Sequence, residues 1–335
     1  MKNFANRVIV AIPARNEAKR IGRCLDALAI QTNVGSFGVV VLANGCADNT
    51  VAIARAHGLL DINVVEHDFP DECGNAGEAR HLAMEIAAQQ GDLILATDAD
   101  CVPDRDWISA ICLAFDANAD AVAGRVSADW SELQHHPEGA LAIGALEWEY
   151  LHLIGEAEAQ FDPQPHDPKP RHAQRCGANM AITRQMLERV GGVPRIATGE
   201  DRALFAAVER VDGKVRQDPK PHVIASARIE GRAGGGMADA LKARTSPDYR
   251  CDEQFAPADR LIDLWIARRA GREAWASGNM EVAVAGKTFA LKSQYMYFGL
   301  AWHEIEKEVF LDKPIQPHNI PSEIARMRAR MAAHA

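Results

Sequence analysis

The chain has 335 residues, of which 47% are hydrophobic and 25% are charged, a composition typical of a large globular protein. Its formal net charge of −9 provides no basic field, which argues against a nucleic-acid partner and against binding to an anionic membrane surface. Seven cysteines occur singly, without a C-x-x-C pair, so neither a disulfide framework nor a zinc site is predicted. The chain has no apolar run long enough for a membrane span and no signal-peptide pattern. We therefore expect a soluble, cytoplasmic protein.

The first half of the chain predicts strands and helices in alternation. Short apolar runs predict strands at Arg7–Ile12, Phe37–Ala43, Ile62–Glu66, Asp92–Thr97 and Ala119–Val126. Apolar residues at helical spacing predict the intervening helices at Glu17–Ala29, Asn49–His57, Asn75–Gln90 and Asp106–Phe115. This alternation is typical of a Rossmann-like α/β fold, with a mostly parallel central sheet and helices on both faces.

The second half of the chain has a different pattern. A helix is predicted at Glu138–Glu158, followed by a proline-rich loop at Phe161–Arg171. Strands at Ala178–Thr183 and Val223–Ile229 flank a helix at Asp201–Val211, and the glycine-rich segment Gly231–Gly236 comes next. From about Met237 the chain reads as mostly helical.

Two aspartates, Asp98 and Asp100, follow the fourth predicted strand in the run TDADCVP. Ligands of open α/β sheets bind outside the carboxyl ends of the strands. Hard divalent ions such as Mg²⁺ prefer oxygen ligands and are often shared with substrate phosphates. The pair is therefore a candidate site for a metal held against a diphosphate. The alternative is a solvated turn, which Pro103 also fits.

Two further loops leave the predicted carboxyl edge of the sheet. The turn Pro13-Ala14-Arg15-Asn16-Glu17 ends the first strand and suits an anionic ligand near a helix start, although a simple proline turn explains it equally well. Asn44 and Asp48 follow the second strand and are candidates to bind a nucleobase and ribose. Asp48 equally suits a helix cap.

Several charged residues are candidates for contacts to phosphate or for acid–base chemistry. Arg80 is either a phosphate ligand or a surface arginine, and Arg228 and Arg232 either close over a diphosphate or are solvated. Glu200 and Asp201 open a helix, where acids are favoured by the helix dipole, but a carboxylate there is also a candidate general base for an acceptor hydroxyl.

Taken in order, these segments resemble the family 2 glycosyltransferases, which have the GT-A fold. The matching segments are PARNE (Pro13–Glu17), NGCADNT (Asn44–Thr50), TDADCVP (Thr97–Pro103), GANMAITR (Gly177–Arg184), VGG (Val190–Gly192) and GEDRAL (Gly199–Leu204). The resemblance implies a transferase domain at residues 1–235, with a donor half at about 1–126 and an acceptor half at about 127–235. Residues 236–335 are then a mostly helical C-terminal extension.

The resemblance also implies roles for single residues. A nucleotide-diphospho-sugar donor is held with a divalent metal, Mg²⁺ or Mn²⁺, by Asp100 and by Asp98, which is near the metal or the ribose. The nucleotide is lined by Pro13, Ala14, Arg15 and Glu17, with Asn44 at the base. Asp201 deprotonates the acceptor hydroxyl with support from Glu200, and the displacement inverts the anomeric carbon. Arg80, Arg228 and Arg232 are candidates to assist at the phosphates.

Three departures from the family pattern leave questions open. Asn44 replaces an acid that commonly contacts uracil, so the donor nucleotide is undetermined. His222 is a doubtful substitute for the third metal ligand of some members. The Q-x-x-R-W motif of processive synthases is absent, which favours a single sugar addition. A retaining transferase on the same fold that acts on a small acid or a phosphorylated acceptor, and a nucleotide-sugar-binding protein without turnover, stay as alternatives. The C-terminal helices either cover the acceptor or form a homodimer interface.

Overall fold

The computed structural model describes residues 7–58, 60–70, 75–231, 237–246, 248–278, 281–284, 286–290, 295–309 and 314–334. Its strands are β1 (Val8–Ala14), β2 (Phe37–Asn44), β3 (Asp61–His67), β4 (Leu93–Ala96), β5 (Cys101–Pro103), β6 (Ala121–Ala128), β7 (Met180–Thr183), β8 (Val215–Ala225), β9 (Glu281–Val284) and β10 (Lys287–Ala290). Its helices are α1 (Ile21–Ala29), α2 (Thr50–Ala56), α3 (Ala76–Ala88), α4 (Trp107–Asp116), α5 (Trp130–Leu133), α6 (Glu138–Phe161), α7 (Arg184–Arg189), α8 (Glu200–Arg210), α9 (Met237–Ala243), α10 (Ala258–Ala276), α11 (Phe298–Val309) and α12 (Ile320–Ala333), with a 3₁₀ turn at Pro317–Asn319.

Eight of the described strands form one mixed sheet, in the order β3-β2-β1-β4-β7-β6-β8-β5. The pairs among β1 to β4 are parallel, as is the pair of β6 with β8. β7 runs antiparallel to both of its neighbours, and β5 is antiparallel to β8. The prediction of an α/β fold with a mostly parallel sheet is confirmed. β1 is buried along nearly its whole length, because a central parallel strand is covered on both faces.

The register of the parallel strands places their carboxyl ends along one edge of the sheet. Ala14 at the end of β1 pairs with Ala43, and Ala11 pairs with Ala96 at the end of β4. The loops that begin after Ala14, Asn44 and Ala96 therefore start side by side. This edge is where the sequence predicts a nucleotide and a metal.

The predicted strand at Val223–Ile229 is wrong in its bounds, because β8 begins at Val215 and ends at Ala225. Pro219 and Pro221 lie inside β8 and break the apolar alternation by which a strand is recognised in the sequence. The β6–β8 register also shifts between Gly124 and Arg125, which accommodates the irregular segment. β5 was not predicted, because a strand of three residues has no recognisable period.

The chain forms two compact units. One comprises Met1–His135, Gln174–Val208 and Lys214–Lys242 and contains the large sheet, and the other comprises His136–Ala173, Glu209–Gly213 and Ala243–Ala335. These units do not follow the predicted boundary at residue 235, since α6 belongs to the second unit. The assignment of a transferase domain to residues 1–235 stays a prediction.

In the second unit, α6 packs against α10 and α12 around a core that includes Tyr150, Ile262, Trp265 and Met327. The C-terminal end of α6 carries a charged cluster, in which Arg268 and Arg272 donate to the fully buried carboxylate of Asp162. None of the helices in the described part of the chain is both long and apolar enough to span a membrane.

Candidate active site

The two aspartates after β4 lie close together beside a cysteine. One oxygen from each of Asp98 and Asp100 and the sulfur of Cys101 all lie within 4.8 Å of one another. Two carboxylates at this spacing are suitable ligands for Mg²⁺ or Mn²⁺, so the residues present fit a divalent ion. Burial and the charge of Asp98 raise the pKa of the Asp100 carboxyl to about 6, although Arg228 opposes the shift. A carboxylate pair of this kind is stabilised by a cation between its members.

Arg80 on α3 is buried beneath this pair, and each of its three nitrogens donates to a protein oxygen. Nε donates to Oε1 of Glu200 at 3.0 Å, one Nη to the carbonyl of Gly177 at 2.8 Å, and the other to Oδ1 of Asp98 at 2.9 Å. Burial opposes the charged guanidinium, but Asp98 and Glu200 outweigh it and raise the pKa of Arg80 above its ordinary value. The surface-arginine interpretation is wrong, because only 5% of Arg80 is exposed. Its contact to a phosphate stays a prediction.

The acidic pair at the start of α8 is held by tertiary contacts. Glu200 is buried and bonds to Arg80, whereas Asp201 is partly exposed. Oδ2 of Asp201 accepts the backbone N–H of Gly177 at 2.8 Å, and Oδ1 accepts the N–H of Arg202 at 2.7 Å. Gly177 thus donates to Asp201 through its N–H and accepts from Arg80 through its carbonyl. The predicted metal ligands and the predicted general base are therefore connected by one short chain of hydrogen bonds.

Gly177 is a site residue to which sequence reasoning assigned no role. A Cβ at this position would lie 2.4 Å from the guanidinium of Arg80, a distance at which something must move. Only glycine therefore allows Arg80 to reach both Asp98 and Glu200 in this arrangement. The GANM segment carried the resemblance, but its glycine is recognisable as a packing requirement only once Arg80 is known to lie against it.

The loops after β1 and β2 are joined by hydrogen bonds. The N–H of Glu17 donates to Oγ1 of Thr50 at 2.8 Å, and the N–H of Ala18 donates to Oδ2 of Asp48 at 3.0 Å. Oδ1 of Asp48 also accepts the N–H of Thr50, the first residue of α2, so Asp48 contacts the start of that helix as well. Asn44 is buried at the end of β2. The structure thus brings these two loops together at the sheet edge.

The predicted nucleotide-lining residues at the end of β1 differ in exposure. Pro13 is half-buried, Ala14 is buried and Arg15 is exposed, whereas Glu17 is buried. The sheet edge therefore presents Arg15 to solvent, and it encloses the carboxylate of Glu17. Their contacts to a nucleotide stay predictions.

Arg228 lies between two of the predicted ligand-binding acids. Both of its terminal nitrogens donate to the carboxylate of Glu17, one of them at 2.6 Å, and one lies 3.0 Å from Oδ2 of Asp100. The solvated interpretation of Arg228 is wrong, because only 15% of its side chain is exposed. Arg232 lies outside the described residues.

Glu132 on α5 is a second residue near Arg228 that the sequence did not single out. Its carboxylate accepts the hydroxyl of Ser226 at 2.6 Å and an Nη of Arg20 at 3.0 Å. Burial raises the pKa of Glu132, but these two donors outweigh burial and hold the pKa below its ordinary value. Glu132 is therefore a charged carboxylate, and its hydrogen bond with Ser226 holds in place the segment that leads to Arg228. A short helix with no apolar period gave no sequence signal for this role.

His222 has both ring nitrogens engaged by protein side chains. Nδ1 lies 2.9 Å from Oδ2 of Asp104, and Nε2 lies 2.8 Å from the hydroxyl of Ser127. A neutral imidazole has one donor and one acceptor, and both are used here. The doubt about His222 as a third metal ligand is therefore supported by the structure.

Three cysteines lie near the acidic pair, of which Cys24 and Cys101 are buried and Cys176 is partly exposed. The thiol of Cys24 donates to the backbone carbonyl of Asp98 at 3.6 Å, and that of Cys101 donates to Oδ1 of Asp100 at 3.7 Å. Burial and the nearby aspartates raise the pKa of Cys101 well above its ordinary value, and burial with Asp201 and Asp98 raises the pKa of Cys176 to about 12. These thiols are therefore protonated at neutral pH.

Comparison with known proteins identifies the family. Residues 5–216 match the family model described as glycosyltransferase-like family 2. A region of 121 residues is 33% identical to glycosyltransferase AglE of Haloferax volcanii, and it covers 36% of this chain and 39% of that protein. A region of 65 residues is 40% identical to a 4,4'-diaponeurosporenoate glycosyltransferase of Staphylococcus aureus and covers 19% of this chain and 17% of that protein. The matched regions thus span less than half of these relatives. The chain belongs to the glycosyltransferase family 2-like proteins.

Solved structures share the fold at low sequence identity. Mannosyltransferase PcManGT from Pyrobaculum calidifontis, in complex with GDP-Man and Mn²⁺, aligns with a TM-score of 0.51 and 17% identity over 99% of this chain and 77% of that chain. Residues 1–349 of S. aureus TarS, in complex with UDP, align with a TM-score of 0.48 and 16% identity over 87% of this chain and 98% of that chain. The likeness to PcManGT shows the fold, and the predicted GT-A class is confirmed.

Proposed function

We propose that this glycosyltransferase moves a sugar from a nucleotide-diphospho-sugar to an acceptor hydroxyl, with a divalent ion, by a single inverting displacement and without processive elongation. The observation that carries the proposal is the connection through Arg80. Its guanidinium joins Asp98 of the acidic pair to Glu200 of the α8 pair, and Gly177 extends the connection to Asp201. A donor-binding pair and a base are thereby held at one place, as transfer between two bound substrates requires.

The donor half of the proposal has two supports. Asp98 and Asp100 provide oxygen ligands within reach of a common ion. The fold relative PcManGT was solved with GDP-Man and Mn²⁺. A divalent ion bound there would supply electrostatic stabilisation of the charge that develops on the leaving diphosphate. The exposed Arg15 and the buried Asn44 are then residues of the nucleotide pocket, and the amide of Asn44 leaves the base undetermined.

The acceptor half of the proposal assigns the general base to Asp201. Its carboxylate is partly exposed and is oriented by the N–H of Gly177 at 2.8 Å. In the proposed step, the acceptor oxygen forms a bond to the anomeric carbon while the bond from that carbon to the diphosphate oxygen breaks. The acceptor proton passes to Asp201, and the nucleoside diphosphate leaves. Glu200 is held by Arg80 and supports this arrangement from inside the protein.

A cytoplasmic location is also part of the proposal. The described cysteines are free thiols, as expected for a protein in a reducing compartment.

The first experiment is a thermal-shift panel of UDP, GDP, TDP and CDP, each with and without Mn²⁺ or Mg²⁺. A ligand that binds only the folded protein raises its melting temperature by mass action. We expect one nucleotide to stabilise the protein only when metal is present, and this result would define the donor class. If no nucleotide shifts the melting temperature with either ion, the donor part of the proposal is wrong.

A second experiment tests turnover and stereochemistry. The chosen nucleotide-sugar is incubated with metal and candidate hydroxyl acceptors, and release of nucleoside diphosphate is followed with time. An inverted anomeric configuration in the product supports the single displacement, and a retained configuration contradicts it. Nucleotide binding without release or transfer, across a broad acceptor panel, would favour a binding protein that lacks turnover.

A further inference from the structure

Cys101 lies beside the acidic pair and has a metal-binding atom other than oxygen. Its sulfur lies within 4.8 Å of one carboxylate oxygen of both Asp98 and Asp100, and it lies 3.7 Å from Oδ1 of Asp100. The residue opens β5, where it pairs with Ala225 of β8 and is 1% exposed. The pairing and the burial hold the position of the sulfur beside the two carboxylates.

One oxygen of each of the two aspartates lies against an arginine. Oδ1 of Asp98 accepts from Arg80 at 2.9 Å, and Oδ2 of Asp100 lies 3.0 Å from Arg228. Oδ1 of Asp100 is the oxygen that faces the thiol of Cys101. The two arginines therefore bind Oδ1 of Asp98 and Oδ2 of Asp100, which leaves the other oxygen of each aspartate for a cation.

His222, the doubtful third ligand considered from the sequence, and Cys24 are bonded to other partners. Both ring nitrogens of His222 are engaged by Asp104 and Ser127. The thiol of Cys24 donates to the backbone carbonyl of Asp98 and not to a carboxylate. Among the described residues, the group of metal-ligating side chains at this site is Asp98, Asp100 and Cys101.

We propose that Cys101 is the third protein ligand of the divalent ion at Asp98 and Asp100, and that its sulfur makes the site select Co²⁺ and Zn²⁺ over Mg²⁺. The proposal rests on the metal site of the proposed function and adds a ligand to it. Cys101 coordinates the ion as a thiolate, and its proton goes to solvent, because a divalent ion deprotonates a thiol that it coordinates. Soft thiolate ligands favour Zn²⁺-like ions, whereas Mg²⁺ binds carboxylates and water.

Cys101→Ser tests the sulfur with a side chain of nearly the same size. The hydroxyl has an oxygen that suits hard ions, so the affinity for Mg²⁺ should stay within about twofold. The affinity for Co²⁺ should fall about tenfold or more, because the thiolate bond is lost. Cys112→Ser is the matched control, since Cys112 lies on α4 and is partly exposed.

The measurement is the absorption spectrum of the full chain titrated with Co²⁺ under reducing conditions, because thiolate coordination to Co²⁺ produces a charge-transfer band in the near ultraviolet. We expect the band in the unmodified protein and in Cys112→Ser, and its loss in Cys101→Ser. Cys24→Ser and Cys176→Ser identify the thiol independently, and both should keep the band. A band that survives in Cys101→Ser but is lost in either of these variants overturns the proposal.

Mn²⁺ binding, followed by the loss of the free-ion electron paramagnetic resonance signal, separates this inference from the proposed function. Mn²⁺ and Co²⁺ binding at one competing site without a charge-transfer band overturns the role of Cys101 and leaves the metal site in place. If neither ion binds, with or without nucleotide, both the metal site and the role of Cys101 are wrong. If the melting curve shows that Cys101→Ser does not fold, the Cys24→Ser and Cys176→Ser variants still test the proposal. Loss of the charge-transfer band in either variant contradicts it, and persistence of the band in both supports it.

Discussion

Arg80 and Glu200 are separated by 120 positions in the chain and form a buried ion pair, with Nε of the arginine 3.0 Å from Oε1 of the glutamate. The same guanidinium reaches Asp98 through its other end. Neutralising Arg80 leaves two carboxylates without their common cation, and breaking a buried pair in this way costs about 3–5 kcal/mol. We expect Arg80→Gln to lower the free energy of unfolding by about that amount.

The control for Arg80→Gln is Arg55→Gln, because Arg55 pairs with Glu66 at the surface, where both side chains are more than half exposed. An exposed pair contributes about 1 kcal/mol or less. Both variants are compared by urea denaturation. Equal losses in the free energy of unfolding would mean that the buried network around Arg80 stabilises the protein no more than a surface ion pair does. Arg80→Lys is expected to remain defective in transfer, because one ammonium group cannot span three acceptors.

Asp201→Asn should separate donor binding from transfer. The asparagine keeps an oxygen that can accept the N–H of Gly177, now 2.8 Å from Oδ2, so the fold and the donor site should be preserved. It cannot accept the acceptor proton, and loss of a general base lowers kcat about 10²–10⁴-fold. The dissociation constant of the nucleotide, measured by calorimetry, should be unchanged. Near-normal transfer by this variant would show that Asp201 is not the base.

Gly177→Ala should disturb the site through packing alone. The added methyl group would lie 2.4 Å from the guanidinium of Arg80, and overpacking of this kind typically costs about 1–3 kcal/mol. Gly139→Ala is the matched control, since a Cβ there meets nothing within 4 Å and the residue lies in α6. We expect the first variant to lose stability and activity and the second to be as stable as the parent or more so. A Gly177→Ala protein with normal activity would contradict the packing requirement.

Arg228→Gln should change metal and nucleotide affinity in opposite directions. The guanidinium lies 3.0 Å from Oδ2 of Asp100. Its removal therefore takes away a positive charge that repels a metal ion bound by the two aspartates. Mn²⁺ affinity should rise about tenfold, whereas nucleoside diphosphate affinity in the presence of Mn²⁺ should fall, because the proposed contact to the diphosphate is lost. Titration of Mn²⁺ alone, followed by titration of nucleotide at saturating Mn²⁺, measures both. A fall in Mn²⁺ affinity would indicate that Arg228 supports the metal ligands. Arg184→Gln, which removes an exposed partner of Asp92, should change neither affinity.

The strands β1, β2 and β4 could be predicted from the sequence because parallel strands buried on both faces leave continuous apolar runs. Their shared edge then follows from the alternation of strands with helices. The contacts at that edge could not be predicted, because Glu17 and Arg228 are 211 positions apart and neither has a local pattern that names its partner. The sequence predicts a separate ligand contact for each, whereas in the structure they bond to each other. Long-range ion pairs of this kind depend on the tertiary fold, which short-range periodicity does not encode.

Asp162 provides a test of stability against pH in the second unit. Burial by itself raises the pKa of this carboxyl, but Arg268 and Arg272 outweigh it and hold the pKa below its ordinary value. A group with a lowered pKa in the folded state stabilises the protein above its unfolded-state pKa, near 4, and this contribution is lost as the pH falls through the folded-state pKa. Asp162→Asn removes the charge and keeps the shape of the side chain.

We expect Asp162→Asn to be less stable than the parent at pH 7 by about 3 kcal/mol, since a fully buried carboxylate loses its charge and two partly exposed arginines lose their common partner. The difference should be constant down to about pH 4 and should shrink below it, as the parent's carboxylate takes up its proton. Urea denaturation of both proteins between pH 7 and pH 3 measures this, with Asp259→Asn as the control, because Asp259 lies on the same helix as Arg268 and is 43% exposed. That control should differ from the parent by less than about 1 kcal/mol. A difference for Asp162→Asn that persists unchanged at pH 3 would mean that packing, and not charge, accounts for the loss.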